Sequence, residues 1–117
     1  MKKFVIILSL CFAVVSAAMA QDFIPGTEDI PLMNGLIIDD NETVSFDTPA
    51  GQIMTIVANT SKSQNQVLSF YATTLTSMGW QKITPYFFQR GQDELSLSTT
   101  KNGGKIQVKF QLTTPNN

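Results

Sequence analysis

The chain has 117 residues with one cysteine and no histidine, which excludes serine–histidine and cysteine–histidine catalysis and histidine-ligated zinc. Eight basic and nine acidic side chains give a net charge of −1, which does not favour nucleic-acid binding. This length fits one domain with a modest apolar core.

Residues 1–20 have the pattern of a secretory signal peptide. Lys2 and Lys3 form a basic start, residues 4–15 are mostly apolar, and Ala18-Met19-Ala20 is a small-x-small cleavage site. No apolar run of membrane-spanning length follows. We therefore expect a periplasmic or secreted product, cleaved after Ala20, without a transmembrane segment.

Cleavage would remove Cys11, so the mature chain could form no disulfide and would depend on apolar packing. A bulky Leu10 precedes Cys11, which argues against a lipid anchor. The mature chain would carry nine acidic and six basic side chains, the acidic ones mostly before residue 48. We interpret both groups as solvated surface; contact of the acidic segment with the basic remainder is the alternative.

Residues 21–34 predict an extended lead-in, because Pro25-Gly26 and Ile30-Pro31 disfavour a regular element. Residues 52–59 predict a strand whose two faces are both apolar, which is typical of an interior strand. One face is expected to contact a helix. We expect the lead-in to cover the other.

Residues 35–39 and 42–47 predict a hairpin that places Ile37 opposite Val44. The sequence Thr48-Pro49-Ala50-Gly51 then predicts a turn into the strand over 52–59. Together these segments would form the N-terminal part of the sheet.

Residues 63–78 predict an amphipathic helix, begun by Ser61 or Ser63 and ended by Gly79 in a left-handed conformation. Trp80 follows and is expected to fill the corner between helix and sheet. The apolar stripe of the helix consists of Val67, Leu68, Phe70, Tyr71, Thr74, Leu75 and Met78. On core-truncation precedent, Phe70→Ala should cost about 3–5 kcal/mol.

Two turn signals set the predicted register of the later strands. A type I′ turn at Asn102-Gly103 would pair Leu97 with Val108, and a type II′ turn at Gly91-Gln92 would pair Phe88 with Leu95. The predicted inner face consists of Tyr86, Phe88, Leu95, Leu97, Ile106, Val108, Phe110 and Leu112.

The predicted fold is therefore α+β, with one helix packed on a mainly antiparallel sheet in the order (β-β-)β-α-β-β-β. We expect a single domain over residues 35–113 and a loose tail over 114–117.

The helix motif Val67-x-x-Phe70-Tyr71-x-x-Thr74-Leu75-x-x-x-Gly79-Trp80 resembles a family of small exported proteobacterial proteins of unknown function. Pro25-Gly26, Asp29-Ile30-Pro31-Leu32-Met33 and Phe46-Asp47-x-Pro49-x-Gly51 extend the resemblance over nearly the whole mature chain. The resemblance implies an exported single domain, and it carries no activity.

Four groups of residues were weighed as chemical sites. Asp39-Asp40-Asn41-Glu42 lacks the ligand spacing of a calcium loop and is interpreted as a polar turn. Asp93 and Glu94 are adjacent in a strand and point to opposite faces. Arg90 and Asp93 predict a surface ion pair, and nothing marks Ser61-Lys62 as an activated dyad. We therefore predict no enzyme, with no catalytic, cofactor-binding or metal-binding residues and no cofactor.

Binding to a protein partner is the function that the sequence favours. Phe87 is predicted on the sheet face opposite the helix, where it would form an apolar patch with Ile53 and Val57 unless another segment covers it. A protein-interaction or assembly module of the envelope is the working hypothesis. A small-ligand carrier and a hydrolase using carboxylates or a Ser/Lys pair are the alternatives.

Overall fold

The computed structural model describes residues 22–27 and 29–115, so the predicted signal peptide lies outside the described residues. The described part has an α+β fold in which one helix packs on an antiparallel sheet, as predicted. Its elements are β1 (Ile37–Ile38), a 3-10 turn (Asp40–Glu42), β2 (Val44–Thr48), β3 (Gly51–Thr60), α1 (Gln64–Ser77), β4 (Gln81–Thr84), β5 (Phe87–Arg90), β6 (Asp93–Asn102) and β7 (Lys105–Pro115).

Capping residues define both ends of helix α1. The Ser63 hydroxyl accepts the backbone N–H of Gln66 at 3.1 Å, and the Gln66 side chain accepts the N–H of Ser63 at 2.9 Å. This reciprocal capping box selects Ser63 over Ser61. Gly79 has a φ of +97°, so the predicted left-handed C-terminal glycine is confirmed.

The strands lie in the order β1-β3-β7-β6-β5-β4, and β2 also pairs with β3. Strand β3 thus has neighbours on both edges, which confirms its predicted interior position. Among the described residues no helix is long and apolar enough to cross a membrane.

The predicted hairpin between residues 35–39 and 42–47 is wrong. Ile37 pairs with Asn59 and Val44 pairs with Thr55, so β1 and β2 lie one after the other along the same edge of β3. Both strands run antiparallel to β3 and therefore in the same direction, whereas the two strands of a hairpin run in opposite directions. The 3-10 turn joins them without reversing the chain, and the predicted turn at 48–51 does connect β2 to β3.

The β6–β7 hairpin turns at Gly103-Gly104 rather than at Asn102-Gly103. Leu97 consequently pairs with Phe110 instead of Val108, two positions from the predicted register. A type I′ turn would place Asn102 at positive φ, whereas only Gly103, at +68°, adopts it in this turn. Because the shift is two residues, every side chain keeps its predicted face.

The turn at Gly91-Gln92 is confirmed, since Phe88 pairs with Leu95 and Arg90 with Asp93. Strand β4, which pairs with β5 and is exposed along its whole length, was not predicted. Four exposed residues without apolar alternation give no strand signal. The predicted tail is also too long, because β7 continues to Pro115 and pairs there with Gly51.

The core lies between α1 and the sheet face that faces it, called here the inner face. Tyr71, Phe88 and Phe110 are among the largest of its fully buried side chains. Trp80 is buried at the end of α1, as predicted, whereas Phe70 is only partly buried and Tyr86 is exposed. The remaining predicted inner-face residues are buried or partly buried.

The lead-in packs on the inner face, which contradicts the expectation that it covers the opposite one. Ile24, Ile30 and Met33 belong to the same buried cluster as Tyr71 and Phe110. Apart from a single bridge between Phe23 and Pro31, the described part of the lead-in forms no strand pairing. The lead-in folds back on itself, because the Ile24 N–H donates to the Ile30 oxygen at 2.9 Å and the Leu32 N–H donates to the Asp22 oxygen at 2.8 Å. The predicted extended course is therefore wrong, and this loop completes the core by side-chain burial.

Candidate interaction surface

The polar groups weighed as chemical sites do not converge in the structure. Asp93 lies opposite Arg90 in the backbone pairing of β5 and β6, whereas Glu94 projects from the opposite face of β6. Ser61 is exposed on the connection between β3 and α1. The neighbouring Lys62 lies so close to Gly35 that a Cβ built there would be 2.8 Å from the lysine Cε.

The acidic segment that contains Asp39 is a capped turn. An Asp39 carboxylate oxygen accepts the backbone N–H of Asn41 at 3.0 Å, and residues 40–42 form the 3-10 turn. Within residues 22–27 and 29–115, no group of three or more acidic, cysteine or histidine side chains is placed to hold a metal ion. The predicted turn is present over these residues.

Arg90 pairs with a residue other than the predicted one. Its guanidinium forms an ion pair with Asp29 of the lead-in rather than with Asp93, and it lies 4.6 Å from the centre of the Trp80 ring. The Trp80 indole N–H donates to the backbone oxygen of Asp29 at 3.3 Å. This ion pair links the acidic lead-in to the basic part of the chain.

Tyr71 makes the second polar attachment of the lead-in. Its hydroxyl donates to the backbone oxygen of Pro31 at 2.8 Å and accepts the backbone N–H of Met33 at 3.2 Å. Burial raises the pKa of this hydroxyl above its ordinary value, and the hydrogen bond from Met33 opposes that change. A neutral, fully satisfied phenol of this kind positions the lead-in and is not suited to acid–base chemistry.

The apolar patch predicted for Phe87, Ile53 and Val57 does not form. Strands β6 and β7 separate Phe87 from β3, and the row that joins them across the outer face, away from α1, contains Ser96 and Gln111. Val57 is itself buried. Polar side chains therefore occupy the middle of the outer face.

A different apolar surface lies at the edge of the sheet formed by β1 and β2. Ile37, Val44 and Phe46 have 68%, 51% and 51% of their surfaces exposed. They pair with outer-face residues of β3 and so project from one side, along one edge. We call these three residues the outer edge surface.

Three exposed large apolar side chains thus lie on two short strands along one edge of the sheet, and exposed apolar patches are common at contact sites. The alternation Val44-Ser45-Phe46-Asp47 contains the signal for this surface. This surface was not predicted, because the expected hairpin paired Val44 with Ile37 and so assigned both residues to an internal contact.

Acidic residues surround the outer edge surface. Asp39, Asp40 and Glu42 lie on the connection between β1 and β2, and Asp47 follows Phe46 in β2. No lysine or arginine occurs anywhere between residues 22 and 61. The surface is therefore apolar with carboxylates beside β2, while Lys62 lies against Gly35 near β1 and Lys109 pairs with Val57 in the adjoining part of the outer face.

Comparison with known proteins gives one match. Residues 40–116 match the family described as START domain-like, and the matched region contains β2, β3, α1 and β4–β7. No curated protein and no solved structure matches the chain. Because the family match spans more than half of the 117 residues, this chain belongs to the START domain-like family.

Proposed function

We propose that this chain is a non-catalytic, exported envelope protein that binds another protein through its outer edge surface. One observation carries the proposal: Ile37, Val44 and Phe46 are exposed together on strands at the edge of the sheet. Interaction sites combine exposed apolar centres with polar margins in this way. The separation of Ser61, Asp93 and Glu94 supports a role without catalysis.

Export rests on the signal-peptide pattern of residues 1–20 and on the resemblance to small exported proteobacterial proteins. It is tested by fractionating the native cell and determining the N-terminus and mass of the accumulated protein. We expect a chain that begins at Gln21 in the periplasmic or external fraction. An intact N-terminus in the cytoplasm would contradict this part of the proposal.

Binding is tested by placing a photo-crosslinking amino acid at Val44 in the native cell and identifying the adducts by mass spectrometry. The matched control is Thr100, which is exposed on the same outer face but lies two strands away from β3. We expect a defined protein adduct from Val44 that is absent from Thr100. The adduct should also disappear when Phe46→Asp is introduced, while the fluorescence of Trp80 stays that of the folded chain.

A small-ligand carrier is the second candidate, because membership of the START domain-like family is compatible with ligand binding. The ligand would occupy apolar space between α1 and the sheet. That space is filled by side chains such as Tyr71, Phe110 and Ile30, so the lead-in would have to move. Native mass spectrometry of protein isolated from its own cell tests this candidate: a retained mass supports it, and the bare chain counts against it.

A further inference from the structure

We infer that the partner contributes an extended segment that adds to β2 as an antiparallel strand, with apolar and basic side chains in alternation. This inference rests on the proposed function and specifies the partner of the same surface. It follows from the free edge of β2, the alternation of its side chains and the surrounding charge.

The first step concerns the backbone. Strand β2 pairs with β3 through all five of its residues, and no described strand lies on its other side. Backbone N–H and C=O groups of alternate residues in such a strand point away from the neighbour and can pair with an added strand. Main-chain pairing of this kind provides affinity, while the side chains provide specificity.

The second step concerns the side chains of β2. Val44 and Phe46 project from the outer face, and Ser45 and Asp47 project from the inner face. All four are exposed, so neither face of β2 is covered. An added strand would therefore place its apolar residues beside Val44 and Phe46 and its alternate residues beside Asp47, where a basic side chain is favoured.

The third step concerns charge. Four carboxylates, on Asp39, Asp40, Glu42 and Asp47, surround this edge. An anionic membrane or nucleic acid would be repelled, and a second copy of the chain would bring the same four charges to the contact. A basic segment is the occupant that this field attracts.

The opposite edge of the sheet supports the assignment by contrast. Strand β4 has four residues, an irregular register between Lys82 and Thr84, and no acidic side chain. Short length, a lysine and a bulge are the features that discourage strand addition. Of the two sheet edges that the structure describes, the β2 edge alone combines an apolar row with acidic neighbours.

The test uses the isotope-labelled protein as its own cell accumulates it, titrated with a capped seven-residue peptide of alternating valine and lysine. Two control peptides are used, one with glutamate in place of lysine and one with alternate backbone amides methylated. We expect NMR shift changes and slowed amide exchange in β2 with the first peptide alone. Equal binding of the methylated peptide, or changes at β4 instead of β2, would overturn strand addition.

Charge exchange supplies the matched variants. Asp47→Lys should lower the affinity for the valine–lysine peptide roughly tenfold and allow the glutamate peptide to bind. Glu94→Lys changes net charge equally on an exposed site of β6 and should leave both affinities unchanged. Equal weakening by the two variants would overturn the role of Asp47.

The crosslinking result separates the two proposals. A defined protein adduct at Val44 with no binding of the valine–lysine peptide would overturn the strand chemistry and leave the interaction function standing. Crosslinks between two copies of the chain would identify a second copy as the occupant and would also overturn this inference. Absence of any adduct at Val44 would contradict both.

Discussion

The hydroxyl of Tyr71 donates to the backbone oxygen of Pro31 at 2.8 Å and so connects α1 to the lead-in, 40 positions earlier in the chain. The hydroxyl oxygen of Tyr71 also accepts the backbone N–H of Met33 at 3.2 Å, so the phenol both donates and accepts a hydrogen bond. The lead-in is thus held by a directional contact within an apolar surrounding.

Replacing Tyr71 by phenylalanine should lower the free energy of unfolding by about 1–3 kcal/mol, because two buried backbone groups lose their partner. Urea denaturation followed by the fluorescence of Trp80, the only tryptophan, measures the change. Tyr86→Phe is the control, since Tyr86 is exposed and should change stability by under about 0.5 kcal/mol. Equal effects of the two variants would contradict the assigned role.

The stability of the protein should fall above pH 10. Burial raises the pKa of Tyr71 above its ordinary value of 10.0, so its contribution is complete below that pH and is lost as the pH rises toward the folded-state pKa. The unfolded chain ionises first, which favours unfolding by about 1.4 kcal/mol per pH unit. Denaturation midpoints at pH 9–11.5 should decline less steeply for Tyr71→Phe, and parallel declines would contradict this.

Phe110→Ala should be the costlier of two phenylalanine truncations, at about 3–5 kcal/mol. Phe110 is fully buried, with its ring centre 5.2 Å from that of Tyr71. Phe70 also contacts Tyr71 but is only partly buried, so Phe70→Ala should cost about 1–2 kcal/mol, less than the sequence predicts. Chemical denaturation of both variants decides the order, and a larger effect at Phe70 would contradict it.

Gly79→Ala should destabilise the chain by about 1–2 kcal/mol through its backbone alone. Gly79 has a φ of +97°, whereas an added Cβ would meet the Arg90 Cδ at an ordinary 3.7 Å. Gly104→Ala is the matched control, because a Cβ there meets nothing within 4 Å and Gly104 does not have a positive φ. The midpoint of thermal unfolding should be lower for Gly79→Ala than for Gly104→Ala, and equal midpoints would contradict the explanation.

The elements with strong local signals were predictable from the sequence. Ser63 and Gly79 mark the ends of α1, and Gly91 marks a turn that needs positive φ. The predicted turn at Asn102-Gly103 was wrong for a local reason. Gly103-Gly104 can form the turn one residue later, and Asn102 then does not need a positive φ. Each side chain still lies on its predicted face of the sheet, because a register shift of two residues preserves the alternation.

The arrangement of the N-terminal segments could not be predicted in the same way. The β-branched residues Ile37-Ile38 and the alternation in Val44–Thr48 indicate strands but do not say which neighbour each will pair with. The position of the lead-in depends on the contacts of Asp29 and Pro31 with residues more than 35 positions away. The outer edge surface depends on how β1 and β2 pair with β3, so it could be identified only from the structure.

The position of β7 determines when the sheet can become continuous during synthesis of the chain. β7 is synthesised after β3 and β6 but lies between them in the sheet, so a nascent chain would hold two separate pieces of sheet until residues 105–115 emerge. A chain shortened by the eleven residues Lys105–Pro115 would leave long, apolar strand edges open on both pieces. Such truncation products should aggregate rather than persist as smaller folded domains.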